Sequence, residues 1–236
     1  RQILMAVGFL HFTERFWKRV IPEIISGFLV PLLSIIVTSM VTLTLFGPMG
    51  TWFGDILASG YTYVYDWNPY VSGFFLGGLI QIMVIFGFHW SLVPIVMLNI
   101  ALYGEDTILP FIGAAAMAQG GAALAVAFRV QDSACKSRIL SAVISAVFGV
   151  TEPAMFGVNL PLKKPMAAVC AGGAIGGALT GFTGAHAIAF AFPGLPTLPV
   201  YFGDGFWGFL GTCVVGFVLG FAFTMFMKLD TTPIEK

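Results

Sequence analysis

Long apolar runs alternate with short polar breaks along most of this chain. Residues 1–20 mix Leu10, Phe12, Phe16 and Trp17 with Arg15, Lys18 and Arg19, a pattern that predicts an interfacial amphipathic helix. From Ile21 to Phe46 only Glu23 is charged, and the run is long enough to span a bilayer. The sequence GPMG (47–50) is expected to end that span. Residues 50–68, with Asp55, Asp66 and several aromatics, suit a membrane–water boundary. Pro69–Phe88 predicts a second span, followed by a short apolar piece, Ser91–Tyr103, interrupted by Pro94. Thr107–Phe128 predicts a further span and RVQDSACKSR (129–138) a loop. Ile139–Leu162 is apolar but broken by Glu152, Pro153 and Pro161. Met166–Phe182 is rich in small residues, residues 184–204 carry three prolines and are expected to be irregular, and Phe206–Met227 predicts the last span.

Basic residues gather at 15–19, 129–138, 163–164 and 228–236. The positive-inside rule places all four clusters in the cytoplasm. That requires 91–103 to count as a crossing, and it requires 139–162 to return to the side it left. The stretch is therefore expected to be a re-entrant hairpin with Glu152 near its tip and Lys163 and Lys164 at its cytoplasmic foot. Backbone of this kind at membrane depth is tolerated where protein covers it or where it lines a watery cavity, and such elements build substrate sites in transporters.

Composition fixes the class. The chain is 58% hydrophobic and 9% charged, against roughly 25% charged residues in soluble domains. The fold class is an all-α integral membrane protein with transmembrane helices and re-entrant hairpins. A formal net charge of zero gives no basis for nucleic-acid binding. Cys135, Cys170 and Cys213 are far apart and suit buried small residues. The chain begins at Arg1 and is expected to be a piece of a longer one.

Few residues could carry chemistry. Glu152 is a carboxylate within an apolar run, and intramembrane carboxylates mark pathways or sites. The structural alternative is a carboxylate bonded to free amides at the hairpin tip. Thr151 is placed to bond a ligand or to cap the next turn. His89, in FGFHWSLVP (86–94), sits at a break between apolar runs, where a ring can both donate and accept. Trp90 is either a stacking platform or a boundary aromatic. Gln119, in MAQGG, either bonds ligand or bridges helices. Glu105 and Asp106 invite a metal reading, but no nearby acid or histidine cluster supports it, so a solvated turn or a helix N-terminus is expected, with no metal and no cofactor. His186 stays open between readings. CAGGAIGGALTG (170–181) lacks the lysine and hydroxyl of a phosphate loop and suits a helix-packing face.

GVTEP (149–153) followed by GVNLP (157–161), preceded by FGFHWSLVP and MAQGGAALAV (117–126), resembles the membrane component, enzyme IIC, of the bacterial sugar phosphotransferase system, glucose superfamily. The matches fall in order over some 80 residues, with details closest to the β-glucoside branch and its sucrose and trehalose relatives. The resemblance implies the transport-domain half of a IIC fold, with residues 21–228 as the membrane substrate-binding and transport domain and 229–236 as a cytoplasmic tail or linker. It implies a multi-pass protein of the bacterial cytoplasmic (inner) membrane. Sugar hydroxyls would contact Glu152 and His89, with Thr151, Trp90 and Gln119 as further substrate-binding residues and Glu152 as proton acceptor. The implied partners are the sugar, a phosphorylated IIB domain, the lipid bilayer, an N-terminal half missing from this chain and, when intact, a second copy in a homodimer. The IIB cysteine motif is absent, ACKSR (134–138) being only a passing likeness, so the phosphoryl donor lies on another domain. Two alternatives stand beside this one: a proton-coupled secondary sugar transporter and a non-transporting membrane fragment.

Overall fold

A computed structural model describes residues 2–235, with side chains at all of these except 2–5, 50, 51, 53–55, 57 and 58. Arg1, Lys236 and the Asp55 side chain lie outside the described residues. The architecture is all-α: the described residues contain no strand, only an isolated antiparallel bridge between Asp106 and Ala187.

Helix α1 (Gln2–Val20) packs on α2 (Glu23–Val41) across a break at Pro22. The expected stop at GPMG does not occur. The chain passes through a π-helical turn, Thr42–Phe46, straight into α3 (Gly47–Trp67). Pro48 falls in the first turn of α3, where its missing N–H is no loss. Residues 50–68 are therefore mostly helix, and the apolar stretch Glu23–Met49 is 27 residues long. Asn68 then starts α4 (Pro69–Ile85), its Oδ1 accepting from the amides of Tyr70 and Val71 at 2.9 and 3.1 Å.

Gly87, at φ 73°, and a 3-10 turn, Phe88–Ser91, lead into α5 (Val93–Tyr103), bent 118° from α4. Pro94 opens α5 rather than interrupting it. Eleven residues reach only about 16 Å, roughly half a ~30 Å hydrocarbon core. Residues 91–103 thus do not supply the separate crossing that the count of basic clusters required; α4 and α5 form one sharply bent element.

The centre is α6 (Ile108–Ala127), buried along nearly its whole length by α4, α7 (Ser133–Val147), α10 (Lys164–Thr180) and α11 (Phe206–Phe226). Glycines allow this closeness. A Cβ on Gly73 would sit on the Gly177 carbonyl of α10, and one on Gly77 would sit on that of Gly173. The small-residue stretch 170–181 is thus a packing face, as its composition implies. The loop before α7 is shorter than expected, only residues 128–132. Asp132 Oδ2 accepts from the Cys135 amide at 2.6 Å and starts the helix at once.

After α7 the chain turns at 148–151 and returns through α8 (Glu152–Ala154), a π-helical turn (Met155–Asn159) and α9 (Leu160–Leu162). Both feet of this hairpin meet the end of α11. Arg129 donates through Nη1 to the Met227 carbonyl at 2.7 Å and through Nη2 to that of Met225, and Lys164 Nζ donates to the Lys228 carbonyl at 2.6 Å. Cys135 Sγ contacts the carbonyl of Ile234, in the terminal helix α12 (Thr232–Glu235), at 3.2 Å. The stretch 139–162 thus turns back on itself as a hairpin.

A second returning segment comes from the other end of α6. Residues 181–205 are largely irregular, with one 3-10 stretch, Leu195–Tyr201. The segment is tied to the head of α6 where the Asp106 amide donates to Ala187 O at 2.9 Å and the Ala187 amide to Asp106 O at 2.8 Å. It leaves and re-enters at one point, Gly205 lying against Thr183 and Ala185. Tyr201 locks it inside, donating to the Ala191 carbonyl at 2.6 Å and stacking on Phe209 of α11.

Candidate functional site

The two returning segments meet tip to tip. Gly149, at φ 96°, has the Pro193 carbonyl and Gly194 against its α-carbon, and Gly194 in turn lies on the backbone of Phe148 and Gly149. A long stretch without regular structure in a helical domain is uncommon and usually functional. Beside this junction lies a cleft walled by Ile80, Gln81, Ile112, Ala116, His89, Thr151, Glu152 and Phe192.

His89 and Glu152, 63 positions apart in the chain, therefore share one cleft. Each arrives by a specific backbone device. His89 sits on the 3-10 turn created by the left-handed Gly87 at the α4–α5 bend. Glu152 is the first residue of the return limb, just after the break that ends α7, and lines the cleft from there. His89 Nδ1 is buried without a hydrogen-bond partner. The Glu152 carboxylate makes no hydrogen bond or ion pair with the described residues, which argues against a carboxylate serving only to satisfy tip amides. Glu152 also lines a second groove, which runs down the outside of the hairpin past Ser145 and Ser141 to Arg138 at the foot.

Thr151 lies in the cleft wall, nearly buried. Trp90 does not reach the wall. It is more than half exposed and meets the cleft through ring contacts with His89, centroids 5.7 Å apart, and edge to face with Phe192, 6.0 Å apart. Gln119 is fully buried behind the wall, its Nε2 donating to Gln81 Oε1 at 3.0 Å. Gln119 also accepts from Asn159 Nδ2, at 3.0 Å on its carbonyl and 2.6 Å on Oε1. It bridges α4, α6 and the return limb.

Asp106 caps α6. Its Oδ2 accepts from the Leu109 amide at 2.8 Å and its Oδ1 from Asn99 Nδ2 at 2.8 Å. Burial pushes its carboxyl above the ordinary value, while these hydrogen bonds pull it back. Glu105 faces His186 at 3.7 Å, on an exposed edge away from the cleft. Among the described residues no three histidine, cysteine or acidic side chains gather as metal ligands.

Gln81, Phe192 and Pro193 line the cleft without having been singled out from the sequence. Gln81 carried a usable signal, a polar side chain inside the apolar run GLIQIMVIF, of the same kind that marked Gln119. Phe192 and Pro193 carried none beyond lying in the proline-broken stretch.

Residues 2–173 match the family "Phosphotransferase system, EIIC". The chain is 37% identical over 212 residues to the PTS system beta-glucoside-specific EIIBCA component of Halalkalibacterium halodurans, covering 87% of this chain and 33% of that protein. It is 36% identical over 234 residues to the beta-glucoside-specific EIIBCA component of Bacillus subtilis, covering 99% and 38%, and 37% identical over 204 residues to that organism's sucrose-specific EIIBC component, covering 86% and 44%. The chain thus spans well under half the length of these relatives. No solved structure matches it. Because the bent α4–α5 element with His89 and the whole hairpin with Glu152 fall inside the matched residues, the chain belongs to the EIIC family, the membrane component of the phosphotransferase system.

Proposed function

We propose that this chain forms the sugar-binding and translocating part of a phosphotransferase-system carrier, with a β-glucoside as substrate. One observation carries the reading: an unpartnered carboxylate on Glu152 and an unpartnered Nδ1 on His89 lie on one cleft, where the hairpin tip meets the irregular segment. Sugar hydroxyls donate strong, charge-assisted hydrogen bonds to an ionised acceptor, and a histidine nitrogen pairs with a hydroxyl in either direction. Thr151 and Gln81 add polar contacts, and Phe192, backed by Trp90, offers an aromatic face to the apolar side of a sugar ring. Gln119 acts from behind the wall. The substrate class follows relatives whose names specify beta-glucosides and sucrose.

In this reading a phosphorylated IIB domain approaches from the end that carries Arg129 and Lys164. The phosphorus–sulfur bond of its phosphocysteine breaks as the sugar oxygen–phosphorus bond forms, and Glu152 takes the proton that the sugar hydroxyl loses. Positioning and charge dominate such a transfer. The chain works in the bacterial cytoplasmic membrane, with α1 along the interface and residues 229–236 on the cytoplasmic side, and the complete carrier is a homodimer.

The test is a thermal-stabilisation screen of the purified protein carrying this chain against β-glucosides, sucrose and trehalose. Stabilisation by a β-glucoside that vanishes in Glu152→Gln and His89→Ala is expected. Uptake driven by a pH gradient, without sugar phosphorylation, would replace this reading with proton coupling through Glu152, and absence of any sugar binding would leave a non-transporting membrane protein.

A further inference from the structure

Three amide side chains on three different elements form one directional chain behind the cleft: Asn159 on the return limb, Gln119 on α6 and Gln81 on α4. Side-chain amides can be turned end for end, and their orientation has to be argued from the network. Here the network has a fixed origin. One partner of Asn159 is the backbone carbonyl of Gln119, which can only accept. The Asn159 atom facing it must therefore be the donor, Nδ2. The same Nδ2 lies 2.6 Å from the end of the Gln119 side chain, so that end must be the acceptor, Oε1. The other end, Nε2, then donates to Gln81 at 3.0 Å and to Met166 Sδ at 3.7 Å. Its partner on Gln81 is necessarily Oε1. Reversing any one amide sets donor against donor or oxygen against oxygen in a site where all three residues are almost wholly buried.

We infer that Asn159 and Gln119 are positioning residues that lock the Gln81 amide with its oxygen inward and its NH₂ free for the ligand. Gln81 lines the cleft, and its Nε2 has no hydrogen-bond partner among the described residues. The cleft therefore presents a fixed donor on Gln81 of α4 together with the Glu152 carboxylate of the return limb. A sugar that accepts at the first and donates at the second is selected, and one reversed in the site is refused. Asn159 leaves its own Oδ1 buried and unpartnered while both its hydrogens go to Gln119, which fits a role in setting direction. Because Asn159 follows Glu152 by seven residues on the same limb, any shift of the hairpin also loosens the lock on Gln81. This inference rests on the sugar-binding reading above.

The experiment compares methyl β-glucoside with each of its forms lacking one hydroxyl, scoring affinity from thermal stabilisation of the purified protein. In the unaltered protein, removal of the hydroxyl at Gln81 is expected to cost about tenfold in affinity. In Gln119→Met and in Asn159→Ala that penalty should shrink to within about threefold, because a freed Gln81 amide can turn, while the penalties at the other hydroxyls persist. A purely structural role would weaken all the sugars alike and leave the pattern of penalties unchanged, and that result would overturn the inference. Should either variant fail to fold, Gln81→Glu decides. It keeps the acceptor for Gln119 and puts an oxygen where the donor stood, so methyl β-glucoside should bind at least about tenfold more weakly. Unchanged affinity in Gln81→Glu would overturn the inference while leaving sugar binding in place. No stabilisation of the unaltered protein by any sugar would overturn the sugar-binding reading and this inference with it.

Discussion

Gly149 and Gly194 touch backbone to backbone, and through them the hairpin from the Arg129 end of the molecule meets the irregular segment from the Asp106 end. Neither position has room for a side chain. A Cβ on Gly194 would come within 2.6 Å of the Phe148 carbonyl oxygen and 2.7 Å of the Gly149 amide nitrogen. Gly194→Ala is therefore expected to push the tips apart and open the cleft wall formed by Phe192 and Pro193. Gly149→Ala adds the strain of a side chain at φ 96°, on the order of 1–3 kcal/mol. Both variants should lower the midpoint of thermal unfolding in detergent and weaken sugar binding, whereas Gly157→Ala, which has open space around it, should do neither.

Glu152→Gln keeps the size of the side chain and removes the charge. The lost hydrogen bonds to sugar hydroxyls are charge-assisted, worth about 1.5–3 kcal/mol, so sugar affinity should fall roughly tenfold to a hundredfold. Since the Glu152 carboxylate makes no hydrogen bond or ion pair with the described residues, the unfolding midpoint of the sugar-free protein should hardly move. A calorimetric titration paired with a melting curve separates the two effects. A large drop in sugar-free stability would mean that the carboxylate serves the hairpin and not the ligand.

How much of this was legible in the sequence differs from element to element. The hairpin was, because Glu152, Pro153 and Pro161 interrupt an apolar run whose two ends carry Arg129 and Lys164, and positive charge fixes both ends to one side. His89 and Glu152 were singled out as separate oddities, but that they face each other depends on the 118° bend between α4 and α5, a tertiary quantity. GPMG misled because Gly and Pro are breakers in general, yet Pro in a first helical turn is well tolerated, and a π-helical turn lets the chain continue. RVQDSACKSR looked like a loop by polarity, although Asp132 three residues before Cys135 is a helix start. Gln81 carried the same signal as Gln119, a lone amide in an apolar run, but only the fold shows that it lines the cleft while Gln119 stands behind it.

The α4–α10 contact is set by glycines that admit no replacement. Gly77→Val or Gly173→Val would drive a branched side chain into a facing carbonyl and separate the two helices. Overpacking of this kind costs typically 1–3 kcal/mol or more, and here it falls on the helix that carries Gln81. The expected result is poor recovery of monodisperse protein in detergent, whereas Gly27→Val, on an open face of α2, should be recovered normally by size-exclusion chromatography.

Asp106 predicts a pH dependence of stability. Burial is the largest influence on its carboxyl and raises its affinity for a proton in the folded chain above the ordinary value of 3.8. In the window between 3.8 and the raised folded value, the folded state holds a proton that the unfolded state has lost. The contribution is therefore fully present below 3.8 and is lost as pH rises through the folded value, so acidification from neutral pH toward that window should raise the unfolding midpoint. Asp106→Asn removes the titrating group while keeping an oxygen for the Leu109 amide, and Asn99 can turn its own amide to suit. The variant should flatten this part of the pH profile. A profile unchanged in Asp106→Asn would assign the pH dependence to other groups.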